Sequence, residues 1–110
     1  MQVIHRPENG SNFIEYAVEG NVISFGDEEL MINLKKRERD DDVTLDICED
    51  YMGGLVLTPA GARVYVAEIF IPARQYTEEE TVNEGESVTN RVPVPFSMDN
   101  VVLTLYEQEV

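Results

Sequence analysis

The sequence predicts an all-β fold: an antiparallel β-sandwich or small β-barrel of about seven short strands, with little or no helix. Turn signals built from Gly, Asn, Asp and Pro recur roughly every ten residues, and short runs rich in Val, Ile, Leu, Tyr and Phe lie between them. No segment carries the apolar stripe of a long amphipathic helix, so the strands must bury their apolar faces against each other. The 110 residues fit one domain, which we expect to span residues 1–110.

The first two predicted hairpins lie in the N-terminal half of the chain. One spans residues 13–25, where Gly20 and Asn21 tolerate the positive φ angles of a tight turn. The other spans residues 30–48, because apolar residues alternate in both of its arms. Its predicted tip is the highly charged segment 35–42.

A third predicted hairpin spans residues 55–71 and turns at 59–61, where a proline and a glycine suit the two corners of a turn. The apolar residues of its long second arm change phase midway. A bulge near Ala67 and Glu68 would reconcile the two halves, and a strand buried on both faces would also explain them. Residues 101–106 alternate clearly and are predicted to form the last strand.

The predicted core follows from the inward positions of these strands. Its members are Phe13, Ile23, Ile32, Leu34, Leu45, Ile47, Leu57, Val64, Val66, Leu103 and Leu105. By contrast, residues 77–91 are polar and acidic, with Val82 and Val88 as their only aliphatic side chains. Thr77 and Glu80 match a capping box, but no apolar stripe follows them. We therefore expect an acidic flexible loop over 77–91 rather than a short helix.

The charge balance restricts the partners. Eight Lys and Arg residues against 22 Asp and Glu residues give a net charge of −14. Direct nucleic-acid binding is not expected, because it depends on cations that neutralise phosphates. A basic protein partner is favoured instead. No apolar run reaches the roughly 18–20 residues of a membrane span, and the N-terminus lacks the apolar core of a signal peptide, so we expect a cytoplasmic protein without membrane contact.

Chemistry-bearing motifs are scarce. With Cys48 as the single cysteine and His5 as the single histidine, the chain can build neither an intrachain disulfide nor a cysteine-based zinc site. Cys48 is expected to be a buried or half-buried strand thiol. No phosphate-binding loop, dinucleotide-binding glycine pattern or serine nucleophile elbow is present. We therefore expect no enzyme activity, no metal and no cofactor.

Glu68 stands out because it interrupts an apolar strand. A buried carboxylate has a perturbed pKa and is a candidate for acid–base catalysis. A structural role is the simpler interpretation, with Glu68 paired to Arg63 or Arg74, or turned outward by the bulge. The acids at 40–42 do not fit an EF-hand, which leaves only a looser calcium site or a solvated loop.

The expected function is non-enzymatic protein–protein interaction or assembly, as a small structural or accessory subunit of a phage-like or other multi-subunit particle, with homo-oligomerisation as one form. The basic and acidic residues at 35–42 are interpreted as two facing arms of a hairpin tip or as a partner contact. The candidate interaction surface comprises Lys35, Lys36, Arg37, Arg39, Asp40, Asp41, Asp42, Glu78, Glu79, Glu80, Glu84 and Glu86. The alternatives are an acidic inhibitor that mimics nucleic acid and a β domain that binds a small ligand or peptide.

Overall fold

The computed structural model describes residues 1–50, 53–57 and 62–108, with backbone only for 62–63. The predicted all-β class is confirmed: strands dominate the described residues, and the helical segments there are two 3-10 turns, Lys35–Arg37 and Met98–Asn100. The strands are β1 Gln2–Arg6, β2 Tyr16–Glu19, β3 Val22–Phe25, β4 Leu30–Asn33, β5 Val43–Asp50, β6 Leu55–Val56, β7 Ala62–Ile71, β8 Tyr76–Asn83, β9 Glu86–Pro93 and β10 Val102–Tyr106. In the described part of the chain, no helix has the length or apolar character needed to cross a membrane.

The largest sheet has five strands in the order β1-β10-β7-β5-β6. Its neighbours are antiparallel except for β1 and β10, which run parallel, with Gln2 opposite Val102 and Arg6 opposite Tyr106. The sequence analysis missed β1 and the parallel pair. A parallel partner at the far end of the chain leaves no local turn signal between the two strands.

The second sheet consists of the antiparallel strands β2, β3 and β4. It contains the first predicted hairpin, in which β2 and β3 pair from Tyr16 opposite Phe25 to Glu19 opposite Val22. Gly20 has a φ of +60° in the turn, which explains why a glycine stands at this position. The prediction of this hairpin is confirmed.

The second predicted hairpin is wrong. Although β4 and β5 follow each other in the chain, β4 belongs to the three-stranded sheet and β5 to the five-stranded sheet. The chain leaves the ladder at Leu34, whose backbone is helical and whose side chain is fully buried, and then enters the 3-10 turn. Residues 34–42 are therefore a crossover between sheets, and 35–42 is not a hairpin tip.

The third predicted hairpin is also wrong in its pairing. In the described residues, β6 lies against β5, with Val56 opposite Cys48 and Leu55 opposite Glu49, while β7 lies on the other side of β5. The predicted turn at 59–61 falls outside the described residues. β7 is longer than β6, contains more apolar residues and lies at the centre of the five-stranded sheet. It therefore pairs with β5 and β10 rather than with β6, which precedes it in the chain.

The predicted bulge in β7 is confirmed and lies slightly earlier than expected. Ala67 is opposite Ile47, but the next residue of β5, Cys48, is opposite Tyr65, so Val66 is the extra residue. Both Val66 and Ala67 are buried. The bulge thus changes which side chains of β7 face the core.

One apolar cluster joins the five-stranded and three-stranded sheets. Its buried members are Ile23, Phe25, Ile32, Leu34, Ile47, Val66, Ala67, Ile69, Ile71, Val101, Leu103 and Leu105. Of the other predicted core residues, Phe13, Leu45 and Leu57 pack against this cluster and are partly buried. Val64 was wrongly predicted as core: it is 40% exposed, because the bulge at Val66 interrupts the alternation that the sequence pattern assumed.

Where the sequence predicts an acidic flexible loop over 77–91, the structure has a regular antiparallel ribbon formed by β8 and β9. Its turn is made by Glu84 and Gly85, with φ angles of +53° and +81°, as a tight hairpin turn requires. The ribbon stands away from the core, and the molecule measures 68 × 29 × 21 Å. Its radius of gyration is 18.3 Å, against about 13 Å for a compact domain of this size.

Candidate functional site

The projecting ribbon is the candidate interaction element. We call residues 76–93, which comprise β8, the turn and β9, the arm. Every residue from 77 to 91 is exposed, and β8 and β9 pair only with each other among the described strands. The outer edge of each strand therefore presents main-chain N–H and C=O groups without a neighbouring strand. Isolated two-stranded hairpins are at best marginally stable in water, so the arm benefits from any strand that pairs with its edges.

The arm is acidic on both faces. Residues directly opposite each other in an antiparallel pair share a face. Glu78 and Glu80 thus lie on one face together with Arg91, whereas Glu79 and Glu86 lie on the other. Glu84 stands in the turn. Five acids and one base give the arm a net charge of 1 − 5 = −4.

The root of the arm is tied to the crossover between the two sheets. The Tyr76 hydroxyl donates to Oδ1 of Asp40, and the Arg91 guanidinium lies 4.2 Å from the centre of the Tyr76 ring. Arg74 forms ion pairs with Glu38 at 3.2 Å and with Asp40 at 3.4 Å. We call these five side chains the arm root. Bonding to Tyr76 first, and then to Glu38, raises the pKa of the Arg74 guanidinium above its ordinary value.

Backbone contacts hold the same junction. The Arg74 amide donates to the Arg39 carbonyl at 2.8 Å, and the Ala73 amide donates to Oδ1 of Asp42 at 2.8 Å. The Val94 amide donates to the Gln75 carbonyl at 2.8 Å and extends the ribbon by one bond at its base. The direction of the arm relative to the crossover is therefore fixed by main-chain as well as side-chain contacts.

An exposed group of cations lies beside this root. We call Lys35, Lys36, Arg37 and Arg39 the basic turn; all four are exposed. Arg39 donates to the carbonyls of Lys36 and Glu38, both at 3.2 Å. Within the described residues, the ion pairs involve Arg74 rather than the basic turn. Its charges are therefore open to solvent and to a partner.

The structure corrects how the predicted surface residues are arranged. Lys35, Lys36, Arg37 and Arg39 do not face Asp40, Asp41 and Asp42 across a hairpin, since 35–42 belongs to the crossover. Asp40 and Asp42 instead bind the segment that leads into the arm, and Asp41 is exposed. The five predicted glutamates Glu78, Glu79, Glu80, Glu84 and Glu86 are exposed on the arm. The arm root thus connects the crossover, which carries one predicted surface, to the arm, which carries the other.

The sequence analysis missed Arg74, Tyr76 and Arg91 as residues of this site. The signal that could have indicated them is Pro72, where a long apolar strand ends and an arginine and a tyrosine follow at once. An arginine and an aromatic residue directly after a buried strand are well placed to anchor the chain that leaves the sheet. Their acidic partners, however, are more than 30 positions away in the sequence.

Glu68 lies on the outer face of the five-stranded sheet. It stands between the buried Ala67 and Ile69, so its side chain points away from the core. The Tyr106 hydroxyl donates to Oε2 of Glu68 at 3.4 Å. Burial, and then the charge of Glu68, raise the pKa of Tyr106. The suggested pair with Arg74 is wrong, because Arg74 binds Glu38 and Asp40; the side chain of Arg63 lies outside the described residues.

Together with Asp46 and Tyr65, Glu68 and Tyr106 line an open depression on that outer face. Asp46 is directly opposite Glu68 across the β5–β7 pair. The depression is a candidate for a small-ligand site, yet two carboxylates side by side contrast with the apolar, enclosed pockets that bind small molecules. Among the described residues, no group of three or more His, Cys, Asp or Glu side chains is arranged to hold a metal ion.

Cys48 is a fully buried thiol on β5, as predicted. Burial, followed by the negative charge of Asp46, raises its pKa. In the unfolded chain the thiol ionises near pH 8.5. The folded state therefore keeps the thiol proton to a higher pH than the unfolded state does. The contribution of this thiol to folding stability is fully present below about pH 8.5 and is lost as the pH rises through the folded pKa.

We expect the Cys48→Ala variant to lose part of this alkaline dependence. Between about pH 8.5 and pH 10, the free energy of unfolding of the parent protein should fall more steeply than that of the variant, by at most about 1.4 kcal/mol per pH unit for one group. Urea unfolding at pH 7, 8, 9 and 10 measures how the free energy of unfolding of each protein changes with pH. Parallel slopes for the two proteins would show that the thiol ionises equally in the folded and unfolded states.

Comparison with known proteins yields no match among family models, curated proteins or solved structures. The geometry of the chain itself singles out the arm, its anchored root and the basic turn beside it.

Proposed function

We propose that this protein is a non-enzymatic assembly protein that engages a protein partner through the arm. The observation that carries the proposal is a regular ribbon of eight paired positions that projects from the core with no third strand on either edge in the described residues. A strand added to an open edge gains main-chain hydrogen bonds and supplies the support that a two-stranded ribbon lacks. This arrangement suits a structural or accessory subunit of a phage-like or other multi-subunit particle, in which each subunit holds its neighbour.

The anchored root supports the same proposal. Arg74 and Tyr76 fix the base of the arm through Glu38 and Asp40, so the ribbon keeps one direction relative to the sheets. A fixed direction lowers the conformational entropy that is lost when the arm binds. With a net charge of −4 on the arm, a basic surface is the partner chemistry that it fits.

The acidic-mimic alternative receives less support from the arm. A mimic of nucleic acid needs its carboxylates aligned on one face, whereas the arm divides Glu78 and Glu80 from Glu79 and Glu86. Arg91 stands directly opposite Glu78 and interrupts the negative face. Two further acids of the predicted surface, Asp40 and Asp42, are engaged in contacts within the chain. We therefore favour strand-mediated assembly over mimicry.

Site-specific photo-cross-linking in the cells that naturally produce the protein tests this function. A photoreactive phenylalanine derivative replaces Val82, which is 77% exposed near the tip of the arm, or Met31, which is 58% exposed on β4 and serves as the matched control. We expect a discrete protein adduct from position 82 and none of comparable yield from position 31. Equal or absent adducts at both positions would contradict the proposal that the arm is a docking element.

A further inference from the structure

We propose that the partner of the arm is a second copy of this chain. In this dimer the two arms lie antiparallel, edge to edge, and each acidic tip contacts the basic turn of the other copy. The inference rests on the proposed function of the arm as an interaction element and names its partner. Three features support it: the charge of the basic turn, its position at the arm root, and the open edge of β9.

The chain carries both a basic segment, the basic turn, and an acidic segment, the arm, so two copies can attract each other. The basic turn holds four of the chain's eight Lys and Arg residues within five positions. The single acid among them, Glu38, is paired with Arg74. Residues 35–39 carry a net charge of 4 − 1 = +3, whereas the whole chain carries −14 and the arm −4. Three aspartates follow directly, of which Asp40 is bonded to Tyr76 and Asp42 to the Ala73 amide. A second copy therefore offers the arm the basic partner that its charge requires.

Geometry prevents the tip of the arm from reaching the basic turn of its own chain. The basic turn adjoins the root, where the Arg39 carbonyl accepts from the Arg74 amide. The ribbon then extends through eight paired positions to the turn at Glu84. At about 3.4 Å per residue, the tip lies roughly 27 Å from the root. While the ladder is intact, Glu84 and Glu86 cannot fold back, but they can reach the root of a neighbouring copy.

In an antiparallel arrangement, the tip of each copy contacts the basic turn of the other copy, so both contacts form at once. The half of the arm nearer the turn, with Glu80, Glu84 and Glu86, carries a charge of −3 and is called the tip. The half nearer the root, with Glu78, Glu79 and Arg91, carries 1 − 2 = −1. Two arms side by side in opposite directions bring each tip to the basic turn at the other root. The same arrangement pairs two open edges and converts two marginal ribbons into one four-stranded sheet. It is an isologous contact, which closes as a two-fold dimer rather than growing into a filament.

The charge pattern indicates which edge pairs. Strand β8 carries three consecutive glutamates, Glu78, Glu79 and Glu80, which would oppose those of its copy. Strand β9 carries only Glu86 and Arg91 as charged residues. Its third residue is Val88, an exposed aliphatic residue that gains burial when it meets its own copy. The geometry therefore points to β9 against β9 around Val88.

Charge exchange between two variants tests the dimer. One variant carries Glu80→Lys, Glu84→Lys and Glu86→Lys; the other carries Lys35→Glu, Lys36→Glu and Arg37→Glu. We expect the parent protein to show twice the monomer mass by size exclusion with light scattering. Each variant alone should show the monomer mass, because its tip and basic turn now repel each other. An equimolar mixture should regain twice the monomer mass, since both contacts become attractive again.

Circular dichroism tests whether each variant folds. If one of them does not, a second measurement, which uses neither variant, still tests the dimer. Isotopically light and heavy copies of the purified protein are mixed and cross-linked from position 82. We expect adducts that join a light chain to a heavy chain and that map to residues 34–42, because the arm of one copy contacts the basic turn of the other. A monomeric parent protein, or a mixture that stays monomeric, overturns the dimer. If position 82 then cross-links to a different protein in cells, the proposed function stands while this inference fails.

Discussion

Replacing Ile69 by alanine is expected to lower the free energy of unfolding by about 2–5 kcal/mol. Ile69 is fully buried on β7, the central strand of the five-stranded sheet, with Leu103 opposite on one neighbouring strand and Leu45 on the other. A central strand cannot move inward to fill the cavity without disturbing both neighbouring strands, so most of the cavity left by the substitution remains unfilled. Since domains of this kind are stable by only about 5–15 kcal/mol, the change should be plain in urea unfolding.

Val64→Ala, on the same strand, is the matched control. The sequence pattern predicts Val64 to be as deeply buried as Val66, whereas the structure leaves Val64 40% exposed. We expect the control to cost less than about 1 kcal/mol, mostly through strand preference and partial burial. Comparable losses in the two variants would contradict the bulge at Val66 and the division of β7 into a core-facing half and an exposed half.

The predictable parts of the fold are the local ones. The β2–β3 hairpin follows from a two-residue turn with a glycine between alternating strands, and both signals lie within ten residues of each other. The buried positions Ile23, Ile32 and Ile47 follow from alternation alone. The bulge in β7 follows from the change of apolar phase. Each of these depends on neighbouring residues and on the period of a strand.

Strand order could not be predicted in the same way. A local rule pairs β4 with β5, because they are consecutive and both alternate, yet Leu34 is buried as the chain crosses to the other sheet. The parallel pair of β1 and β10 brings together the two ends of the described chain. Such pairings are selected by the packing of the whole core, which no short window of sequence contains.

The arm shows why an exposed ribbon escapes sequence analysis. Strands are recognised by one apolar face, and the arm has none, because both of its faces meet solvent. Its acids were correctly placed on the surface, but the arm root was missed. The bonds from Arg74 and Tyr76 to Glu38 and Asp40 join segments that only the folded crossover brings together.

Shortening the arm is expected to abolish self-association while leaving the core intact. Removing residues 79–82 and 87–90 deletes four complete pairs from the ladder, so Glu78 joins Asn83 and Glu86 joins Arg91. An even number of residues leaves each strand, so the remaining side chains keep their faces. The arm root and the turn are retained, and the tip withdraws by about 13 Å.

The deleted residues are all exposed. At a protein concentration low enough that the parent protein is monomeric, the free energy of unfolding should therefore stay within about 0.5 kcal/mol of the parent value. Self-association should nevertheless disappear in light scattering, because the shortened tip no longer reaches a second copy's basic turn and Val88 is gone. A dimer that survives shortening would place the interface on another surface. A loss of more than about 2 kcal/mol in stability would show that the arm packs against the core in solution. Because the two readouts respond to different contacts, one variant separates an arm that binds a partner from an arm that supports the fold.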